Sequence, residues 1–198
     1  MILGNKLGYD QFLLQYGIKK VVRDGPPSFE KGLNRKLERY LAKQQFRLKR
    51  LRGDPIKFWK LSSLLLLRSK AFRLLGLRNV RPNWFKDQEM KTVIKWLTEL
   101  DRICKNEPQS FEVTRTPIPK PDGGTRYIND PGVPNRIYLW MLNMFMHYWL
   151  EERLNVNQHG HRKGRGTLSA WKAIGELLHK KFIYEFDYKK FHDQIDRK

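Results

Sequence analysis

The chain has 198 residues, enough for one ordinary domain or for part of a larger protein. Its 40 lysines and arginines against 20 acidic residues give a net charge of +20, and its 40% apolar content excludes a wholly disordered chain. A polyanion is the natural partner, RNA or DNA first and an anionic membrane surface second, although charge alone does not separate an enzyme from a structural RNA-binding protein.

The single cysteine, Cys104, excludes an internal disulfide and a cysteine-cluster zinc site. It lies on the apolar side of a helical pattern, which predicts a buried small hydrophobe. Residues 1–12 have no secretory signal pattern, and the most apolar stretch, residues 137–150, is too short to span a bilayer. These features predict a chain without a membrane span, in a reducing compartment.

The front of the chain is predicted to be helical. Residues 1–27 are interpreted as a linker, after which Ser28 is predicted to cap a densely basic helix that ends near residue 52 at Gly53. Asp54 and Pro55 predict the start of a second helix that ends at Gly76. A third is predicted over residues 86–105. The apolar residues predicted for its inner face are Met90, Val93, Ile94, Leu97, Leu100 and Cys104.

The helical spacing of apolar residues gives way to a mixed pattern after residue 108. Residues 111–128 alternate around a Pro-Asp-Gly-Gly turn, which predicts a β-hairpin. Asn135 is predicted to cap a helix to about residue 153 that is apolar nearly all round and therefore buried. Residues 158–166 form a glycine-rich basic loop, Thr167 is predicted to cap a helix to about residue 180, and residues 182–186 predict a short strand. The fold class predicted is α/β (α+β), with a basic helical extension over residues 1–108 and a mixed part over residues 109–198.

Three segments carry candidate chemistry. The hairpin holds Arg115, Lys120 and Arg126 at fixed distances, which suits a triphosphate, although this segment taken alone favours a basic surface hairpin. In the loop, cations among glycines before a helix N-terminus favour phosphate, whereas the alternative is a solvated loop. The loop cations are Arg162, Lys163 and Arg165.

Asp187 directly follows the predicted strand. A carboxylate there is well placed to hold a divalent cation, because magnesium prefers hard anionic oxygens, and the alternative is an aspartate that caps the next turn. His159 and His161 have no nearby cysteine or carboxylate to complete a ligand set, so no metal is predicted in the loop.

The order of these segments resembles that of reverse transcriptases of the group II intron type, particularly organellar enzymes. Residues 118–126 read IPKPDGGTR, similar to the family's IPKP-G--R, and residues 133–136 give the Pro-Arg step before an apolar helix. Residues 159–167 read HGHRKGRGT, similar to HGFRPGRST. Residues 187–195 read DYKKFHDQI, similar to D-I-K-x-F-F-D-x-I. The resemblance covers residues 111–198.

The resemblance implies an RNA-directed DNA polymerase whose fingers and partial palm follow an RNA-gripping basic extension. Lys120 and Arg126 would contact the incoming triphosphate, Tyr188 would help to hold it, and Asp187 would be the first ligand of a two-Mg²⁺ site. Arg115, Arg162, Lys163 and Arg165 would contact nucleic acid. The implied partners are an RNA template (its host intron among the candidates), a DNA primer and nucleotide triphosphates, in a mitochondrion.

The sequence also departs from this family. His192 stands where the family has an aromatic that blocks a 2′-hydroxyl, which leaves sugar selection open. The paired-aspartate block of the palm is not among these residues, so the chain alone is expected not to polymerise.

Two rival interpretations stay open. A viral RNA-dependent RNA polymerase shares the fingers cations and the palm aspartate, and Asp193 is a candidate ribose-reading group for it. A non-catalytic RNA-binding protein derived from a polymerase fits the charge equally well.

Overall fold

The computed structural model describes residues 26–84, 90–106, 113–121 and 123–180, together with residues 182, 184 and 186. These residues form helices α1 (Pro26–Arg50), α2 (Pro55–Arg68), α3 (Lys70–Val80), α4 (Met90–Lys105), α5 (Gly132–Leu150) and α6 (Thr167–Gly175), and strands β1 (Thr114–Pro119) and β2 (Thr125–Asp130). The predicted mixture of helices and strands is therefore confirmed. The described residues fall into two compact units that divide between Glu152 and Arg153.

Helix α3 lies at the centre of the first unit. Its residues from Phe72 to Leu77 are all buried, and the ring of Phe72 stacks on that of Phe145 of α5 with centroids 5.3 Å apart. Gly76 explains how closely the two helices approach, since a Cβ built there would lie 2.6 Å from the Cγ2 of Ile137. The prediction that Gly76 ends a helix is therefore wrong: the glycine is needed for packing between helices.

The second predicted helix is in fact two. Ser69 is extended, and its Oγ accepts a hydrogen bond from the backbone N–H of Phe72 at 3.2 Å, which is how a serine caps a new helix. The hydroxyl of Tyr40 lies 2.5 Å from the same oxygen. The break between α2 and α3 therefore combines a local serine cap with a long-range contact to α1.

Other helix boundaries follow the sequence more closely. Helix α1 ends at Arg50, near the predicted limit, but it begins at Pro26, so Ser28 lies inside its first turn and does not cap it. Asp54 caps α2 as predicted, since its Oδ1 accepts from the backbone N–H of Lys57 at 3.0 Å. The predicted start of α4 at residue 86 lies outside the described residues.

The inner face of α4 is largely as predicted. Val93, Leu97, Leu100 and Cys104 are buried, and Cys104 is a free thiol. Ile94 is 45% exposed, so its place on that face was wrong. It lies one residue past Val93, which rotates its side chain about 100° away from the packed face.

Helix α5 is buried on one face and not nearly all round. Its residues Leu139 and Met146 are each 42% exposed, while Ile137 and Met141 are buried beside Gly76 of α3. Asn135 is not its cap: the helix begins at Gly132, and the Asn135 Nδ2 donates to the Pro131 carbonyl at 2.8 Å.

The predicted division near residue 108 stays a prediction. Helix α5 lies after that point in the chain, yet it packs in one core with α3 and α4. No helix in the described part of the chain has the length and hydropathy that a bilayer span requires.

Candidate nucleic-acid and nucleotide interface

The predicted hairpin is present, and its register sorts the basic residues onto two faces. Ile118 pairs with Arg126, and Pro117 pairs with Tyr127. Because successive strand residues point to opposite faces, the even-numbered side chains share one face and the odd-numbered ones share the other. Arg126 therefore lies on the even face and Arg115 on the odd face.

Lys120 continues the even face beyond the end of β1. Its backbone N–H donates to the Gly124 carbonyl at 2.7 Å, so residue 120 faces residue 124 across the turn. Arg126 lies two residues beyond Gly124, which makes it the diagonal neighbour of Lys120. Gly123 adopts a φ of +79° that a glycine tolerates without strain, and its N–H closes the turn on the Lys120 carbonyl at 3.1 Å. Two exposed cations are thus held side by side.

The odd face carries a cation over an aromatic ring. The guanidinium carbon of Arg115 lies 4.4 Å from the centroid of the Tyr127 ring. Tyr127 is 54% exposed. No motif in the sequence singles out Tyr127. The signal that could have found it is the turn position, because centring the hairpin on residues 121–123 pairs Tyr127 with Pro117 and makes Arg115 its diagonal neighbour.

Two prolines determine which edge of strand β1 can pair with another strand. Pro117 and Pro119 have no N–H, so they occupy positions whose backbone points away from β2. The outer edge of β1 accordingly lacks two donors that another strand would need, and this disfavours edge-to-edge pairing.

In the second unit, two of the three loop cations hold the loop together. Arg162 is buried, and its Nη1 donates to the carbonyls of Asn155 at 2.8 Å and Gln158 at 3.2 Å. The Nη1 of Arg165 donates to the Val156 carbonyl. Both arginines hold the loop by donating to its carbonyls, Arg162 as a buried and Arg165 as a partly exposed side chain, while Lys163 between them is exposed. Contact of these three residues with nucleic acid stays a prediction.

The loop is also fastened to the start of α6. Ser169 Oγ accepts from the backbone N–H of Gly166 at 2.9 Å and donates to its carbonyl at 2.8 Å, and the His159 Nδ1 lies 2.9 Å from the same oxygen. Thr167 is the first residue of α6 and Gly166 its cap, so the predicted threonine cap is displaced by one residue. His161 adopts a φ of +57°, a left-handed conformation that is costly for a residue with a Cβ.

The predicted metal site lies outside the described residues, as do Asp187, Tyr188 and His192. Of the strand predicted before it, the structure describes Phe182, Tyr184 and Phe186, which are exposed and without regular secondary structure. The described residues contain no group of three histidine, cysteine or carboxylate side chains that could hold a metal ion.

The basic extension presents its charge outward. Along α1, Leu33, Leu37 and Leu48 are buried. The cations that are exposed on the other side are Arg35, Lys36, Arg39, Lys43, Arg47, Lys49 and Arg50. Two arginines outside this face are used in ion pairs instead: Arg52 with Glu152 at 2.7 Å and Arg78 with Glu38 at 2.8 Å.

Comparison with models of known protein families, with curated proteins and with solved structures finds no match to this chain. Its function is therefore argued from its own residues and geometry.

Proposed function

We propose that this chain is the fingers and first palm segment of an RNA-directed DNA polymerase, preceded by an RNA-binding helical extension. The observation that carries the proposal is the position of Lys120 and Arg126 as diagonal neighbours on one face of a tight hairpin. Two cations at a fixed separation can neutralise a triphosphate while charge moves onto its leaving group, and a rigid hairpin adds no cost of reorganisation. Intron RNA as template and an organellar location belong to the same proposal.

In this proposal Asp187 would hold Mg²⁺ together with further carboxylates, and the bound metal would supply electrostatic stabilisation of the charge that develops during nucleotidyl transfer. Tyr188 and the side chain at His192 contact the nucleotide. The even face of the hairpin meets the triphosphate, whereas Arg115 lies on the other face and meets nucleic acid.

The test uses a protein in which this chain is joined to a palm block with paired aspartates. Lys120→Ala and Arg126→Ala should each raise KM for dNTP by roughly 10-fold, since a charge-assisted hydrogen bond contributes about 1.5–3 kcal/mol. Asp187→Ala should abolish primer extension and leave RNA binding within about twofold. The matched control is Lys95→Ala, which removes an exposed cation from α4 and should leave KM unchanged.

Primer extension retained by Asp187→Ala would show that the metal site is misplaced. If the unmutated fusion binds RNA but does not extend a primer, the second candidate is favoured, a non-catalytic RNA-binding protein, for which the outward basic face of α1 is the supporting observation. Both candidates predict RNA binding, but only the polymerase predicts primer extension that depends on Asp187.

A further inference from the structure

The odd face of the hairpin combines a flat aromatic ring with positive charge. Its six side chains are all exposed: Arg115, Pro117, Pro119, Thr125, Tyr127 and Asn129. None of them is acidic. Asp130, the carboxylate within the two strands, lies on the even face, where it is 3.5 Å from the Nη1 of Arg136. The odd face therefore attracts anions without an acidic side chain of its own to oppose them.

The ring of Tyr127 has a proline and a cation as neighbours. Pro117 lies directly opposite it in the strand pair, and the Arg115 guanidinium lies over it at 4.4 Å. A cation in this position is attracted by the electron-rich ring face. The ring nevertheless stays 54% exposed, so a second flat group can pack against it.

We propose that this face is a stacking platform for an unpaired nucleobase of a single strand, with Tyr127 as the stacking ring and Arg115 as the cation that attracts the adjoining phosphate. Base–aromatic stacking beside a basic residue is how proteins hold single strands without reading their sequence. An RNA strand and a DNA strand offer the same ring face and the same phosphate. The inference rests on the nucleic-acid-binding part of the proposed function and adds where an unpaired base is held.

The strand register places the platform and the two cations Lys120 and Arg126 on opposite faces of the hairpin. Lys120 and Arg126 lie on the even face, so a nucleotide held there and a base stacked on Tyr127 would contact opposite sides of the same two strands. A variant on one face should therefore change one kind of binding and spare the other.

The experiment measures binding of the 198-residue chain to a short oligouridine and to a backbone of equal length without bases. Tyr127→Leu should weaken oligouridine binding by roughly 5- to 50-fold and leave the base-free strand unchanged, because the lost contact is to a base. Tyr127→Phe should bind within about twofold of wild type, since the ring is kept. Ile128→Ala is the matched control: it removes an exposed apolar side chain from the even face and should have no effect.

Arg115→Gln should behave differently from Tyr127→Leu. It should lower the slope of log Kd against log salt by about 0.7, the value for one phosphate contact on a single strand, and weaken both probes. An oligodeoxyuridine of the same length distinguishes RNA from DNA. The nucleic acid whose affinity falls more on Tyr127→Leu is the one that the platform holds.

Equal affinities for wild type and Tyr127→Leu on both strands would overturn the platform, as would an equal loss on the base-free strand. In either case binding by wild type would leave the proposed function standing. If the wild-type chain binds none of the probes, the platform and the RNA-binding part of the proposed function both fail.

Discussion

Gly76 shows what one missing side chain does for the packing of this protein. The absent Cβ would lie 2.6 Å from Ile137 and 3.3 Å from the ring of Trp140, so α3 and α5 could not approach as they do with any larger residue. Gly76→Ala should lower the free energy of unfolding by roughly 1–3 kcal/mol, because overpacking forces neighbouring side chains or helices apart. Urea denaturation followed by circular dichroism measures the change.

Gly53 provides the matched control, since a Cβ there would meet nothing within 4 Å. Gly53→Ala should leave stability unchanged or raise it slightly, because alanine reduces the freedom of the unfolded chain. Equal effects of the two substitutions would mean that the change in freedom of the unfolded chain, and not the contact with Ile137, explains the result.

Among the elements, a buried arginine joins α2, α3 and α4. Arg73 donates to the Leu67 carbonyl at 2.8 Å and forms an ion pair with Asp101. Burial raises the pKa of Asp101, but the hydrogen bonds and charges of Lys105 and Arg73 outweigh it and lower the pKa below its ordinary value. Arg73 thereby links the C-terminal end of α2 to α4.

The lowered pKa determines how this contact depends on pH. A carboxyl whose folded pKa is depressed contributes stability that is complete above the ordinary aspartate value of about 4 and is lost as pH falls through the folded value. Asp101→Asn should therefore be less stable than wild type by about 2 kcal/mol at pH 7, since it leaves a buried guanidinium without its anion. The two proteins should converge in strong acid, as pH-dependent unfolding curves would show.

The control for this pair lies on the same helix. Lys105→Ala removes the exposed partner of Asp101 at 2.5 Å and should cost less than about 0.5 kcal/mol, as exposed pairs do. A difference between wild type and Asp101→Asn that stays constant down to low pH would contradict the account.

At the scale of the whole molecule, the charge of +20 should control binding of RNA. Each phosphate contact releases counterions, so log Kd should rise with log salt with a slope of roughly 3 or more. Replacing Arg39 and Lys43, both exposed on α1, by glutamine should lower this slope by about 1.4. Fluorescence anisotropy with labelled RNA over a range of salt measures it.

The control pair has the same spacing on another helix. Lys91 and Lys95 are exposed on α4, four residues apart like Arg39 and Lys43, and their replacement by glutamine should change the slope less. An equal change in both variants would show that overall charge, and not the face of α1, governs binding.

Local patterns in the sequence were sufficient for the hairpin and for several helix boundaries. Asp54 accepts its predicted backbone hydrogen bond, and the glycine-rich turn produces the register that pairs Ile118 with Arg126. Such features depend on neighbours within a few residues, which the sequence displays directly. The same holds for Cys104, whose burial followed from a helical apolar stripe.

The sequence by itself determined the basic exterior of α1, the hairpin and the inner face of α4, because charge and periodicity act through local chain geometry. Only the tertiary structure decided that Gly76 packs against α5 and that the Arg162 side chain is buried. The first depends on Ile137, which is distant in sequence, and the second on a backbone carbonyl whose position is fixed when the loop has packed. The separation of Arg115 from Arg126 likewise required the strand register, since alternation sends residues of opposite parity to opposite faces.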